Sequence, residues 1–126
     1  MEPITIGSKG TASVQVDETN LAVAVGSGSL PVFATPMMAA LMEEAACNAV
    51  APFLSEGETT VGTKLDISHD AATPVGLTVT ATAEITGTCA VSADNKSVGK
   101  EFRQRLNQTQ KAFRAGSFIC SERFFT

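Results

Sequence analysis

Polar and apolar residues follow two distinct patterns along this chain. From Ala34 to Ala51 the residues are almost all apolar or small, and only Glu43, Glu44 and Asn48 interrupt them after Met37. Strong helix formers dominate there, so the stretch predicts one long helix. Thr35 is expected as its N-cap, with Pro36 at the first helical position. A surface helix would carry a broad polar face. This one does not, which predicts a central helix enclosed by other elements.

The rest of the chain alternates. Ala12, Val14 and Val16 predict a half-buried strand over Gly10–Val16, and Leu21–Val25 predicts a second, short one. Thr59–His69 predicts a strand with Val61, Thr63, Leu65, Ile67 and His69 on one face. Gly62, Lys64, Asp66 and Ser68 fall on the other, so period-two geometry turns His69 toward the helix. Val75–Thr86 alternates again, with Val75, Leu77, Val79, Ala81, Ala83 and Ile85 inward. Turns are expected at Ser55–Glu58, Asp70–Pro74 and Ala93–Ser97. Val98–Phe113 fits a strand or a helix by pattern alone. Gly116–Thr126 predicts a strand with Phe118, Cys120 and Phe124 in the core.

The 126 residues suit one domain, 1–126, of α+β class. A net charge of −4, with no Lys/Arg cluster before residue 100, argues against a nucleic-acid partner. No apolar run approaches the roughly 20 residues of a membrane span, and Met1-Glu2-Pro3 does not begin a signal peptide. Cys47, Cys89 and Cys120 are widely spaced, which reads as reduced thiols in a cytoplasmic protein. One histidine and no Cys-x-x-Cys predict no metal site.

Candidate chemistry concentrates in few residues. Gly26-Ser-Gly-Ser29 lacks the lysine of a phosphate-binding loop and reads as a loop beside the site. Thr35 has two roles open to it: cap, or a reactive hydroxyl at a helix N-terminus where developing negative charge is favoured. Glu43 has Ala39, Ala40, Ala46 and Cys47 at three and four residues, so its carboxylate needs a partner or a task. A structural hydrogen bond is the plainer alternative. His69 is the only histidine. An inward histidine is either a satisfied core residue or an acid–base group.

Several stretches carry a resemblance: Gly26-Ser-Gly-Ser-Leu-Pro-Val-Phe-Ala-Thr-Pro36, Leu41-Met-Glu43, Thr60-Val-Gly-Thr63 and Ile67-Ser-His-Asp-Ala-Ala-Thr-Pro74 with Gly76. In that order and spacing the chain resembles the hotdog-fold acyl-CoA thioesterases of the fluoroacetyl-CoA thioesterase family. The resemblance implies a long central helix wrapped by an antiparallel sheet, and hydrolysis of a small acyl-CoA. It implies Thr35, Glu43 and His69 as catalytic residues, with Phe33, Pro36 and Gly62 binding substrate. No cofactor is implied, since CoA is part of the substrate. A homodimer or tetramer is expected, because pairing edge strands removes exposed edges, with the site at the interface. Water and the Thr35 hydroxyl are both open as nucleophile. The likeness fades after Thr86: Gly116-Ser-Phe-Ile-Cys-Ser-Glu-Arg123 keeps a glycine and an arginine at altered spacing without the family's histidine. Fluoroacetyl specificity in the family goes with bulky aromatics before the threonine, where this chain has Gly26–Ser29. An acyl-thioester dehydratase and a non-catalytic acyl-CoA-binding hotdog protein are the alternative functions.

Overall fold

A computed structural model describes residues 4–67, 69, 71–90, 97–108 and 111–123. Strand β1 (Lys9–Gln15) leads to a one-turn helix α1 (Ala22–Val25) and then to the long helix α2 (Thr35–Val50). A 3-10 turn over Ala51–Phe53 ends α2, and four strands follow: β2 (Glu58–Asp66), β3 (Thr78–Ala90), β4 (Ser97–Gln108) and β5 (Lys111–Arg123). The strands form one antiparallel sheet in the order β1-β3-β4-β5-β2. With α2 packed on that sheet, the α+β hotdog architecture expected from the sequence is present.

The helix meets the sheet through Met38, Leu41, Met42, Ala45, Ala46, Ala49 and Val50, a three-and-four spacing that gathers one face. Against it lie Ala12 of β1, the following Val16, and Val79, Ala81, Ala83 and Ile85 of β3, all buried. Burying a valine or methionine fully contributes about 1.5–3 kcal/mol. Ala45 and Ala49 let β1 come unusually close. A Cβ on Gly10 would lie 2.2 Å from the Ala49 backbone nitrogen and 2.4 Å from the Ala45 carbonyl oxygen. The sequence reading overlooked this contact; a glycine inside a strand opposite a run of alanines was its signal.

Several expectations are corrected. The helix is not covered all round, because Ala40, Glu44, Cys47 and Asn48 are exposed on its far face. Leu21–Val25 is not a strand. Leu21 makes a single bridge to Phe33, and Ala22–Val25 winds into a helical turn that Gly26 ends at φ 77°. Five apolar residues are too few for periodicity to separate strand from turn. Val75 and Leu77 point outward, 51% and 40% exposed, because a turn at Gly76 (φ 98°) precedes β3. From Val79 to Ile85 the expected inward face holds.

In β2 the pairing with β5 shifts between Gly62 and Lys64. A bulge of this kind changes which face successive residues occupy. Before it, Thr60 and Gly62 face α2: the Thr60 hydroxyl meets Cys47 Sγ at 3.4 Å, and Gly62 lies against Glu43. After it, Ile67 packs on the core and His69 turns inward, while Leu65 is 40% exposed. The expected two faces are therefore right only for the end of the strand.

Among the described residues the ambiguous last third consists of β4 and β5, so Val98–Gln108 and Lys111–Phe113 are strand rather than helix. The expected turn at Ala93–Ser97 lies outside the described residues up to position 96, as do Phe124 and the side chains of Phe118 and Cys120.

Candidate active site

The site begins with a clamped segment. Residues 32–34 lie between two others, and backbone bonds hold each side. Ala22 N–H donates to the Val32 carbonyl at 2.8 Å, and Ala34 N–H to the Asn20 carbonyl at 2.9 Å. On the other side Phe33 N–H donates to the Thr73 carbonyl at 2.8 Å, and Val32 bridges Pro74. Asn20 is itself locked: its amide donates to the Gln15 carbonyl at 3.0 Å, and its Oδ1 accepts from Asp17 N–H at 3.0 Å. Every position just before α2 is thus set before the helix starts.

The N-cap is Ala34, not Thr35, and no side chain caps the helix. Thr35 and Pro36 are the first two helical residues. The expected capping bond of Thr35 is absent because its hydroxyl is used elsewhere. Thr35 Oγ1 and His69 Nδ1 lie 2.7 Å apart, a short hydrogen bond. His69 is half-buried, and its Nε2 is buried with no hydrogen-bond partner among the described residues. Residues 71–74 are held near the start of α2 because Thr73 and Pro74 are stitched to Phe33 and Val32.

Glu43 lies two helical turns further along and is half-buried, while Glu44 is exposed. Packing places its carboxylate: a Cβ on Gly62 would come within 3.0 Å of Glu43 Oε2. Only glycine leaves that oxygen its present position. The helix face carrying Glu43 is less apolar in its surroundings than the sequence suggested, since Ala40 and Cys47 are exposed.

Of the remaining expected site residues, Pro36 is exposed beside Thr35. Phe33 is a core side chain, 1% exposed, and its backbone N–H donates to the Thr73 carbonyl. Met38 is equally buried, whereas Met37 and Ala39 are half-buried and the 26–29 loop is exposed. Thr73 stands in the Ile67–Pro74 stretch of the sequence reading, which assigned it no role of its own. It is buried, and its hydroxyl has no partner among the described residues. Nothing in a lone threonine marks that environment.

Such an arrangement offers a hydroxyl with a base in contact at a helix N-terminus, and a carboxylate further along the same helix. Residues 16–101 match the family model described as fluoroacetyl-CoA-specific thioesterase. A fluoroacetyl-CoA thioesterase of Streptantibioticus cattleyicolor is 56% identical over 54 residues, which are 43% of this chain and 39% of that relative. The aligned part is therefore less than half of that relative's length. A variant of the fluoroacetyl-CoA-specific thioesterase, solved in complex with fluoroacetate and CoA, is 29% identical with a TM-score of 0.75. That superposition covers 95% of this chain and 96% of the other. A hot-dog-like protein from Thermanaerovibrio acidaminovorans shares the fold at 15% identity, with a TM-score of 0.72 over 93% of this chain and 82% of its own.

Proposed function

The chain belongs to the fluoroacetyl-CoA-specific thioesterase family, and on that premise we propose that it hydrolyses a small acyl-CoA thioester to the free acid and CoA. The observation that carries this reading is the 2.7 Å contact between Thr35 Oγ1 and His69 Nδ1. A hydroxyl and a base within hydrogen-bond reach are the signature of an activated nucleophile. His69 Nδ1 takes the Thr35 proton as the hydroxyl oxygen bonds to the thioester carbonyl carbon. The oxyanion develops at the start of α2, where first-turn N–H groups lack helical partners and the dipole favours negative charge. No acidic side chain in that turn offsets it. CoA leaves as a thiolate and takes the proton from His69. Glu43 then deprotonates a water that cleaves the acyl-threonine ester, and the proton returns to Thr35.

Incubating the purified protein with short acyl-CoA esters and following free CoA tests the reading. Release that disappears in Thr35→Ala and His69→Ala supports it. Binding without release from any ester would favour a non-catalytic acyl-CoA-binding protein. Dehydration of an acyl thioester with the thioester intact would favour a dehydratase. Quenched acetyl-CoA reactions analysed by mass spectrometry should show one acyl group on Thr35.

The working form we propose is a homodimer, or a tetramer built from it, in the cytoplasm. Strand β2 ends the sheet with an unpaired edge, and the far face of α2 is exposed at Ala40, Glu44 and Cys47. Pairing two copies covers both and brings the site to the interface. The free thiol of Cys47 suits a reducing compartment. No helix among the described residues is long and apolar enough to cross a membrane.

A further inference from the structure

Asn20 is buried, 3% exposed, in the loop that joins β1 to α1. Burying an amide costs free energy that its hydrogen bonds must offset, and both ends of this one are bonded. Nδ2 donates to the Gln15 carbonyl at 3.0 Å, and Oδ1 accepts from Asp17 N–H at 3.0 Å. The carboxylate of Asp17 is itself taken up by the Thr19 N–H and hydroxyl. From the last residue of β1 onward, the loop is closed around the Asn20 side chain.

The backbone of the same residue serves the site. Its carbonyl accepts from Ala34 N–H at 2.9 Å, and Ala34 is the N-cap that precedes Thr35. Leu21 bridges Phe33, and Ala22 N–H donates to the Val32 carbonyl at 2.8 Å. Residues 32–34 therefore rest on residues 20–22, and residue 20 is fixed by its own side chain. The Thr35 hydroxyl stands 2.7 Å from His69 Nδ1. A displacement of about 1 Å would carry it out of hydrogen-bond range. We propose that Asn20 is a positioning residue for the Thr35 hydroxyl: its amide fixes the carbonyl that holds Ala34, and so sets the contact between Thr35 and His69. The kinetic consequence rests on the hydrolase reading above, whereas the geometric one does not.

Asn20→Ala should lower kcat on the best acyl-CoA about ten- to a hundredfold, the span for a misplaced reacting group, with KM held within about twofold. The control is Ile85→Val, a core change where β3 is bonded to Gly7 and Ser8. It should lower the melting temperature and leave kcat within about twofold. His69 is the only histidine, so the 15N signal of its Nδ1 reads the contact without ambiguity. That signal should move in Asn20→Ala and stay in Ile85→Val. In the wild type the Ala34 amide should exchange slowly with solvent deuterium. A folded Asn20→Ala with wild-type kcat, or with an unmoved Nδ1 signal, overturns the proposal, as does an equal loss of kcat in Ile85→Val. An Ala34 amide exchanging as fast as an exposed one overturns it even if Asn20→Ala fails to fold. If the wild type releases no CoA from any ester, the hydrolase reading falls, and an Nδ1 signal that moves only in Asn20→Ala still supports the positioning.

Discussion

At the scale of single residues, the two glutamates of α2 separate cleanly. Glu43 faces Gly62 and Glu44 faces solvent. Glu43→Ala or His69→Ala should lower turnover by ~10²–10⁴-fold, the span for an acid–base group. Glu44→Ala should change it little. Steady-state kinetics on the best acyl-CoA checks this, and a sensitive Glu44 beside a silent Glu43 would reverse the assignment. Gly62→Ala is a sharper probe. Its new Cβ would press on Glu43 Oε2 from 3.0 Å, and a flexible carboxylate can retreat. Melting temperature should therefore hold or rise, because alanine restricts the unfolded chain, by ~0.4–1 kcal/mol where its backbone fits. Turnover should fall by about tenfold or more as the carboxylate leaves its position.

At the scale of elements, the contact between β1 and α2 is set by backbone against backbone. Gly10→Ala would put a Cβ 2.2 Å from Ala49 N, and no side-chain rotation relieves that. The helix must move off the strand, disturbing the alanine seam at Ala45 and Ala49. Overpacking of a tight core costs about 1–3 kcal/mol and occasionally more, and Gly10→Ala should lie at or above that range in a denaturation experiment. Element identities were legible where alternation ran long, as in β3 from Val79 to Ile85. In β2 the strand was legible but its faces were not, because the bulge at Gly62 hides inside a sequence that alternates without a break. In Leu21–Val25 the element itself was not legible, since its turn is imposed by bonds to Val32 and Leu30.

At the scale of the whole molecule, substrate range and assembly are the properties to measure. The exposed loop over residues 26–29 is glycine and serine, and Met37 beside the site is adaptable. Discrimination between fluoroacetyl-CoA and acetyl-CoA should be little more than their chemical reactivity. A kcat/KM ratio of ~10⁴ or more would contradict this, since it needs about 5 kcal/mol of differential transition-state stabilisation. Each methylene that fits should add about 1 kcal/mol at most, so the profile across short acyl chains should be shallow. The unpaired edge of β2 and the open face of α2 predict at least a dimer by light scattering at micromolar concentration. A monomer that still turns over would place a complete site within one chain.

The sequence by itself determined the long helix and the main strands, and it put forward Thr35, Glu43 and His69 as the candidate site. Helix-forming apolar runs and long alternation are local properties, and the motif spacing around those residues survives any arrangement of the loops. Only the tertiary structure decided that Thr35 bonds to His69 instead of capping its own helix. That choice depends on Asn20 and Thr73, far apart in the chain, holding residues 33 and 34 from opposite sides. It likewise decided that Gly62 faces Glu43, because a bulge shifts the register of β2 against β5. Long-range hydrogen bonds and strand register carry no signature in a single sequence.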